Sequence, residues 1–326
     1  MSTRYPKYSF LLMMLVILVS GVFGQLSCDH CGKNITGTYV TSNGQAYHED
    51  CYSDHIRPRC DYCKEVIDGP YNILDDKKYH PSCLTNHILP KCDICGKPLE
   101  GSYQSDYWGN DYHIEHTHEL PECSVCGRLI CEQLTEGGFK LGDARAICSI
   151  CNETAVTDNY SIESSMDNVL RLFTSNGITG FPNDIPISLV DKPTLKRLSQ
   201  TYSENMQGFT DQNAQTRNGS VISRKSHIYI LSHLPRIMFQ AVLAHELLHV
   251  YLFEHDLDLR SDIREGFCNL GSEMVYKNTR SEFAKFRLQN MQASQDPDYG
   301  VGYRNMSELL YKKGWSYILE NIGDIR

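Results

Sequence analysis

Apolar residues in the C-terminal half of the chain recur at two different spacings, and each spacing predicts a type of secondary structure. Apolar residues three or four positions apart predict helices, whereas alternation and short apolar runs predict strands. The predicted helices cover 162–175, 191–202, 262–276, 281–291 and 306–322. The predicted strands cover 185–190, 221–222 and 227–231. A polar stretch over 207–219 has neither spacing, so we expect a loop there.

A further helix is predicted in the most apolar part of this half, from Pro235 to near Phe253. Together these elements predict a mixed α+β domain over 155–326. The polar stretch 153–161 lies at the start of this domain and is typical of a domain boundary.

The N-terminal segment has the composition of an export signal. Arg4 and Lys7 precede the apolar run 10–19, and Gly24 follows it at the expected cleavage point. We expect residues 1–24 to be removed as a signal peptide. The alternative is that they are kept as an anchor, and only then do we expect contact with a membrane. The remainder is then expected to be exported, into the secretory pathway, the periplasm or the medium.

Cysteine pairs recur at a nearly constant interval between the export signal and the C-terminal domain. The first two units have the spacing C-x2-C-x16-H-x2-C, and the third has C-x2-C-x17-H-x2-H. The fourth unit has diverged and contains two cysteine pairs. The four units cover 28–51, 60–83, 92–116 and 123–151, within a region that we assign to 25–154.

Each unit offers four sulfur or nitrogen donors, which is what a closed tetrahedral zinc site takes. The alternative is that these cysteines form disulfides, but disulfides would not require a histidine at the same position in successive units. The predicted sets are Cys28, Cys31, His48 and Cys51; Cys60, Cys63, His80 and Cys83; Cys92, Cys95, His113 and His116; and Cys123, Cys126, Cys148 and Cys151. His118 remains an alternative to His116. The connector histidines His55 and His87 are expected to pack within linkers, because each set is already complete.

Charge and size restrict what these units do. The net charge is -9, and acidic residues outnumber basic ones in the cysteine-rich region, which argues against a nucleic acid as partner.

Units this small have too little apolar content to fold unaided, so zinc should supply folding free energy. Because a closed site has no open position for a substrate, we expect the units to act as a scaffold or to bind a protein partner.

The motif HExxH lies in the long predicted helix, at His245, Glu246 and His249. Helix positions i and i+4 share one face, so both imidazoles can bind one zinc ion while Glu246 faces a water molecule on that ion. Zinc lowers the pKa of such a water and Glu246 can take its proton, which is the chemistry of metal-assisted hydrolysis. An apolar helix with two satisfied core histidines would show the same pattern.

A catalytic zinc site needs a third protein donor beyond this helix. His255 lies where the pattern HExxHxxGxxH has its third histidine, but Leu252 replaces the glycine that turns the chain there. Glu265 lies on the next predicted helix and would complete a site with two histidines and one glutamate. Its alternative role is to cap that helix together with Asp262. We predict Glu265 as the third donor.

Several segments carry a resemblance to a known family. They are 234–236, 243–249, 265–268 and 299–304, together with the connector Cys51-x8-Cys60. These segments resemble the LIM-domain-bearing, ubiquitin-activated peptidases that limit organ growth in plants, the "DA-one" family. The resemblance implies zinc peptidase activity with Glu246 as the base and favours Glu265 over His255. We recognise no acidic ubiquitin-interacting helix ahead of the zinc units, where we expect an export signal instead, so we do not carry ubiquitin activation over from the family.

We therefore expect an exported zinc-dependent endopeptidase that cuts protein or peptide substrates. An array of four LIM-like zinc-binding modules would precede a mixed α+β, zincin-like (gluzincin-type) domain, with one catalytic and about four structural zinc ions. Tyr303 or Tyr299 could stabilise an oxyanion. By analogy with zinc peptidases, the strand 227–231 should be the edge strand that pairs with substrate. The alternative is a protein-binding adaptor whose HExxH site is silent or structural.

Overall fold

A short unit repeats three times along the N-terminal part of the computed structural model. It begins with a turn that holds a CxxC pair, continues into an antiparallel hairpin and ends in a short helix. The structure describes residues 2–4, 8–11, 26–199, 202–218 and 220–325. The strands of this part are β1 (Ser2–Arg4), β2 (Tyr8–Leu11), β3 (Tyr39–Ser42), β4 (Gln45–His48), β5 (Tyr71–Leu74), β6 (Lys77–Tyr79), β7 (Tyr103–Ser105) and β8 (Asp111–His113). The helices are α1 (Glu49–Cys51), α2 (Pro81–Cys83) and α3 (His116–Glu119), and π-helical turns follow the first two at Tyr52–Ile56 and Leu84–Ile88.

A residue with positive φ closes the turn around each cysteine pair. Gly32, Gly96 and Gly127 have φ values of 70°, 72° and 74°, a region that glycine enters without steric cost. Lys64 takes the same position in the second unit with φ of 67°. In each of the first three units the hairpin ends at or next to the histidine of the donor set, and the short helix that follows contains the fourth donor.

Two strands lie in the segment predicted as an export signal. Strand β1 pairs antiparallel with β7, and β2 pairs antiparallel with β5. The other residues of 1–24, including most of the apolar run 10–19, lie outside the described residues, so export stays a prediction. Within the part of the chain that is described, no helix is long and apolar enough to cross a membrane.

The chain divides into two compact units, Met1–Glu119 and Leu120–Arg326, and the fourth cysteine module belongs to the second. The second unit has strands β9 (Gly138–Lys140), β10 (Ala146–Cys148), β11 (Ile187–Val190), β12 (Gly208–Arg217) and β13 (Ser220–Leu231). Its helices are α4 (Glu132–Thr135), α5 (Ser149–Asn152), α6 (Asn159–Thr174), α7 (Lys192–Leu198), α8 (Arg236–Glu254), α9 (Ser261–Lys277), α10 (Glu282–Ala293) and α11 (Tyr303–Asn321). A π-helical turn at Pro297–Gly302 precedes α11, and a 3-10 turn at Ile322–Asp324 follows it. The molecule is thus a mixed α and β structure.

The larger sheet of this unit has the strand order β11-β13-β12. Strand β13 is parallel to β11 and antiparallel to β12. It joins the two strands that were predicted separately at 221–222 and 227–231, and it occupies the centre of the sheet. The expectation that 227–231 forms an edge is therefore wrong, because β12 covers that side.

The predicted loop over 207–219 is also wrong, since this segment contains the ten-residue strand β12. The strand lies at the edge of the sheet and most of its side chains from Asp211 onward are exposed, which explains its polar composition. A polar edge strand lacks the alternation of apolar residues by which strands are recognised in a sequence.

Helix α8 packs between the sheet and helix α9. Leu243, Leu247 and Leu248 on α8 are fully buried, and each such side chain stabilises the fold by about 1.5–3 kcal/mol. A Cβ atom at Gly271 of α9 would lie 2.7 Å from the carbonyl oxygen of Ala244, so glycine allows the two helix backbones to approach closely. This close crossing brings the side chains of α9 next to the HExxH motif.

The fourth module is bonded to the rest of the second unit. The guanidinium group of Arg145 donates to the carbonyl oxygen of Ser232 at 2.9 Å and pairs with Asp143 at 2.8 Å. Asp143 also accepts from the backbone N–H of Lys192. Burial would raise the pKa of Asp143, but these two donors lower it. The module is therefore anchored through a buried ion pair.

Candidate metal centres

Four groups of cysteine and histidine side chains match the four predicted sets. In each group the donor atoms lie within 4.8 Å of one another, as a bound metal ion would require. None of the fourteen cysteines forms a disulfide, and all lie within the described residues. These clusters could therefore hold metal ions, and their sulfur and nitrogen donors are those that zinc prefers.

The histidines of the first three groups share one orientation. Nδ1 of His48, His80 and His113 lies 3.4–3.5 Å from a cysteine sulfur. Nε2 of each ring lies 3.1–3.2 Å from a backbone carbonyl oxygen and can donate to it. This hydrogen bond fixes the tautomer and leaves the Nδ1 lone pair facing the thiols, which is the arrangement of a histidine that ligates a metal.

The structure distinguishes His116 from His118 in the third group. His116 lies with Cys92, Cys95 and His113, whereas His118 is outside the group. Nδ1 of His116 lies 3.2 Å from a carboxylate oxygen of Glu119. Its Nε2 is buried and has no hydrogen-bond partner among the described residues, which suits a nitrogen directed at a metal ion.

Hydrogen bonds favour the ionised form of some of these cysteines and the neutral form of others. Burial would raise the pKa of Cys28, but backbone N–H groups of Cys31, His48 and His30 lower it to about 6. In the fourth group, hydrogen bonds from the other thiols lower the pKa of Cys123, and the same interactions raise that of Cys151. Such a group holds some of its cysteines as thiolates readily but needs a cation to hold all four.

The connector histidines pack against aromatic rings. His55 stacks on His30 with ring centroids 4.4 Å apart, and His87 stacks on Tyr62 at 4.5 Å. Neither is part of a donor group.

A fifth group of donors lies where α8 crosses α9. The Nε2 atoms of His245 and His249 lie 3.1 Å apart, and Oε2 of Glu265 lies 3.4 Å from each of them. Zinc bonds of about 2.0–2.2 Å in a tetrahedral site separate their donors by about 3.3–3.6 Å, so this spacing fits the ion. Oε2 of Glu265 is buried without a hydrogen-bond partner among the described residues, which is a further sign that a cation belongs there.

Electrostatics at this group reflect the close approach of the three side chains. Burial would lower the pKa of His245, but the carboxylates of Glu265 and Glu246 raise it. Burial would raise the pKa of Glu265, but His245 and His249 lower it strongly. The negative charge of Glu265 is therefore stabilised beside the two imidazoles, which is the ionisation state that a metal ligand needs.

Two other side chains were possible third donors. His255 ends helix α8, stacks on Tyr251 at 4.1 Å and points its Nδ1 at the carbonyl oxygen of Tyr251, so it is not part of the group. The sulfur of Cys268 does lie within 4.8 Å of the imidazole nitrogens of His245 and His249. Glu265 fits better because its Oε2 lies 3.4 Å from both imidazole nitrogens, and because burial and then the charge of Glu265 hold the pKa of the Cys268 thiol well above its usual range.

The carboxylate of Glu246 is buried and is held by strand β12. The hydroxyl of Thr210 donates to Oε2 of Glu246 at 2.6 Å. The side-chain amide of Gln212 donates to the carbonyl oxygen of His249 at 2.9 Å. Strand β12 therefore contacts the HExxH motif at two of its residues.

The imidazole of His245 is oriented from helix α9. Its Nδ1 can donate to Oδ1 of Asn269 at 3.0 Å, and the amide of Asn269 donates to the carbonyl oxygen of Tyr299 at 2.9 Å. The ring of Tyr299 stacks beside that of His245 with centroids 6.1 Å apart. Partial burial and then the charges of Glu265 and Glu246 raise the pKa of Tyr299, so its hydroxyl stays protonated beside the site.

Tyr303 lies elsewhere. Its side chain is fully buried, and after burial itself the largest influence on its pKa, which is raised, is the charge of Glu273. Of the two tyrosines considered from the sequence, the structure places Tyr299 and not Tyr303 beside His245.

Sequence reasoning missed Thr210, Gln212 and Asn269. Thr210 and Gln212 fall in the segment that was read as a loop. Asn269 could have been found, because it lies four residues after Glu265 and so shares its helix face.

Comparisons with known proteins agree with this part of the chain. A family model described as DA1-like, Protein DA1, matches residues 186–278, which include β11 to α9 and all the donors of the fifth group. Protein DA1-related 7 of Arabidopsis thaliana is 23% identical over 259 aligned residues, covering 59% of this chain. The alignment covers 46% of that relative, so this chain spans less than half of its length.

Proposed function

Since this chain belongs to the DA1 family, we propose that it is a zinc-dependent metallopeptidase that hydrolyses peptide bonds in protein substrates. The observation that carries the proposal is the convergence of His245, His249 and Glu265 beside the buried carboxylate of Glu246. Three protein donors leave a position open on a four-coordinate ion, which distinguishes a catalytic zinc site from a closed structural one.

When bound, zinc would supply Lewis acidity toward the scissile carbonyl and toward a water molecule. In the proposed mechanism Glu246 takes the proton of the attacking water and later gives it to the departing amine. Asn269 accepts a hydrogen bond from Nδ1 of His245 and so keeps that nitrogen protonated. Nε2 then carries the lone pair that can bind the metal. Tyr299, whose hydroxyl stays protonated, is the candidate to donate a hydrogen bond to the oxyanion.

A peptide substrate suits the open edge of strand β12. In the described sheet β12 pairs with β13 on one side, and no other strand pairs with its outer edge. An extended peptide can add to such an edge through backbone hydrogen bonds. Because Thr210 on this strand contacts Glu246, a peptide paired along β12 would pass close to the candidate catalytic carboxylate.

The four cysteine-rich groups are proposed to bind one structural zinc ion each, and the modules to hold the fold or a protein partner. The second candidate function is a binding adaptor whose HExxH site is silent, and the modules favour it because they carry most of the donor groups. Export of the protein remains part of the proposal.

Metal analysis separates the two functions. The enzyme should contain five zinc ions per chain, of which the one at His245, His249 and Glu265 is removed first by a chelator, together with peptide cleavage. Four zinc ions, all equally resistant to the chelator, would favour the adaptor.

A further inference from the structure

Consecutive inward-facing residues of strand β12 contact helix α8 around the HExxH motif. Side chains alternate along a strand, so Gly208, Thr210 and Gln212 all face the helix. Gly208 and Thr210 lie against Glu246, and Gln212 bonds to the carbonyl oxygen of His249. The same strand that offers an open edge thus holds the candidate general base.

The contact between Thr210 and Glu246 is specific to one oxygen of the carboxylate. The Thr210 hydroxyl lies 2.6 Å from Oε2 of Glu246 and 3.4 Å from the backbone carbonyl oxygen of Glu246, so the carboxylate is the better acceptor. The last torsion of a glutamate side chain is otherwise broad. The hydrogen bond from Thr210 therefore restricts the orientation of this carboxylate.

Gly208 packs against the other carboxylate oxygen of Glu246, Oε1. A Cβ atom at this position would lie 2.6 Å from Oε1 of Glu246 and 2.7 Å from a methyl carbon of Val242. The carboxylate consequently fits against the backbone of β12 on one side, while Thr210 holds it on the other. Glu246 is only 5% exposed, so water does not compete freely for these positions.

We propose that Thr210 is a positioning residue for Glu246, whose hydroxyl holds the carboxylate in the orientation needed to accept a proton from the attacking water. This inference rests on the proposed function. It explains why a threonine stands on the inward face of an edge strand, where a purely structural position would take a β-branched apolar residue.

The test compares Thr210→Val, which keeps the shape but removes the donor, with Thr210→Ser, which keeps the donor. Thr216→Val is the matched control, because Thr216 lies exposed near the other end of β12. We expect Thr210→Val to lower kcat about tenfold to 100-fold with KM changed less than about twofold, since misplaced catalytic groups lose rate on this scale. Thr210→Ser should restore most of kcat, and all variants should keep the zinc content of the wild type.

Two results would overturn the inference: an unchanged kcat in Thr210→Val, or an equal loss in Thr210→Val and Thr210→Ser. A wild-type protein that cleaves no peptide overturns the proposed function instead. In that case the contact is tested by a double-mutant cycle of Thr210→Val and Glu246→Ala in thermal unfolding of the zinc-loaded protein. Shifts of the unfolding midpoint that simply add would then refute the contact.

Discussion

Two neighbouring side chains of α9, Glu265 and Cys268, compete to complete the fifth donor group. Glu265 and Cys268 lie one helical turn apart on α9 and face the same two imidazoles. The carboxylate oxygen of Glu265 lies at the separation expected of two ligands of one ion, and it has no other partner among the described residues. Cys268 is buried next to it, and burial and then the charge of Glu265 raise the pKa of its thiol.

Substitution of these two residues should therefore have opposite outcomes. In Glu265→Gln the fifth zinc ion should be lost at zinc concentrations that saturate the wild type, because a neutral amide is a poor zinc ligand. Cys268→Ser should keep five zinc ions, because serine is similar in size to cysteine and can be buried in the same place. Zinc content measured after dialysis against a metal buffer gives the answer, and loss of the fifth ion from Cys268→Ser alone would identify the thiol as the ligand.

In the proposed metal site Asn269 would act through His245, whose Nδ1 lies 3.0 Å from its Oδ1. We expect Asn269→Ala to weaken zinc binding at the fifth site by about 10–100-fold, because the ring loses the acceptor that fixes its tautomer. Asn278→Ala, in the exposed residue after α9, is the control and should bind zinc as the wild type does. Titration with a zinc chelator of known affinity measures the difference, and equal affinities for the two variants would refute this role.

Among the secondary-structure elements, the apolar helices were predictable and the polar strand was not. The helix predicted from Pro235 to near Phe253 is α8, which spans Arg236–Glu254. Such a helix is recognised because packing on several sides requires apolar residues all round. Strand β12 has no such requirement: one face is exposed, and the other carries Thr210 and Gln212 because it faces a carboxylate and a carbonyl group. The polar residues Thr210 and Gln212, which contact the site, are thus also the reason why the sequence did not predict a strand here.

The crossing of α8 and α9 should depend on Gly271. We expect Gly271→Ala to lower the free energy of unfolding by about 1–3 kcal/mol, because the new methyl group meets the carbonyl oxygen of Ala244 and overpacking costs more than helix propensity gains. Gly142→Ala is the control, since no atom lies within 4 Å of the added methyl group. Chemical denaturation followed by circular dichroism compares them, and equal stability of the two variants would contradict the close crossing.

At the scale of the whole molecule, the cysteine modules belong to different units. Three lie in Met1–Glu119 and the fourth in Leu120–Arg326 with the HExxH site. The repeating spacing predicted the first three groups and the two cysteine pairs of the diverged unit predicted the fourth, because a metal site restricts which residue types can occur at which positions. The sequence could not assign the fourth module to the second unit, because that depends on long-range contacts such as the bond from Arg145 to Ser232.

Loss of zinc from two different modules should therefore have different consequences. Cys60→Ser should disorder its own module and leave thermal unfolding of the second unit unchanged. Cys123→Ser should lower the unfolding temperature of the second unit by several degrees, because the buried anchor of the fourth module is lost. Differential scanning calorimetry distinguishes the two transitions, and an identical effect of both substitutions would contradict the division of the chain.

The most direct test of the account is cleavage of a peptide library by the zinc-loaded wild-type protein and by Glu246→Gln. Glutamine keeps the size of the side chain and can still accept a hydrogen bond from Thr210, but it cannot take a proton from water. We expect the wild type to cleave peptides and Glu246→Gln to retain its five zinc ions while cleavage falls at least about 100-fold. Cleavage by Glu246→Gln at the wild-type rate would contradict the account.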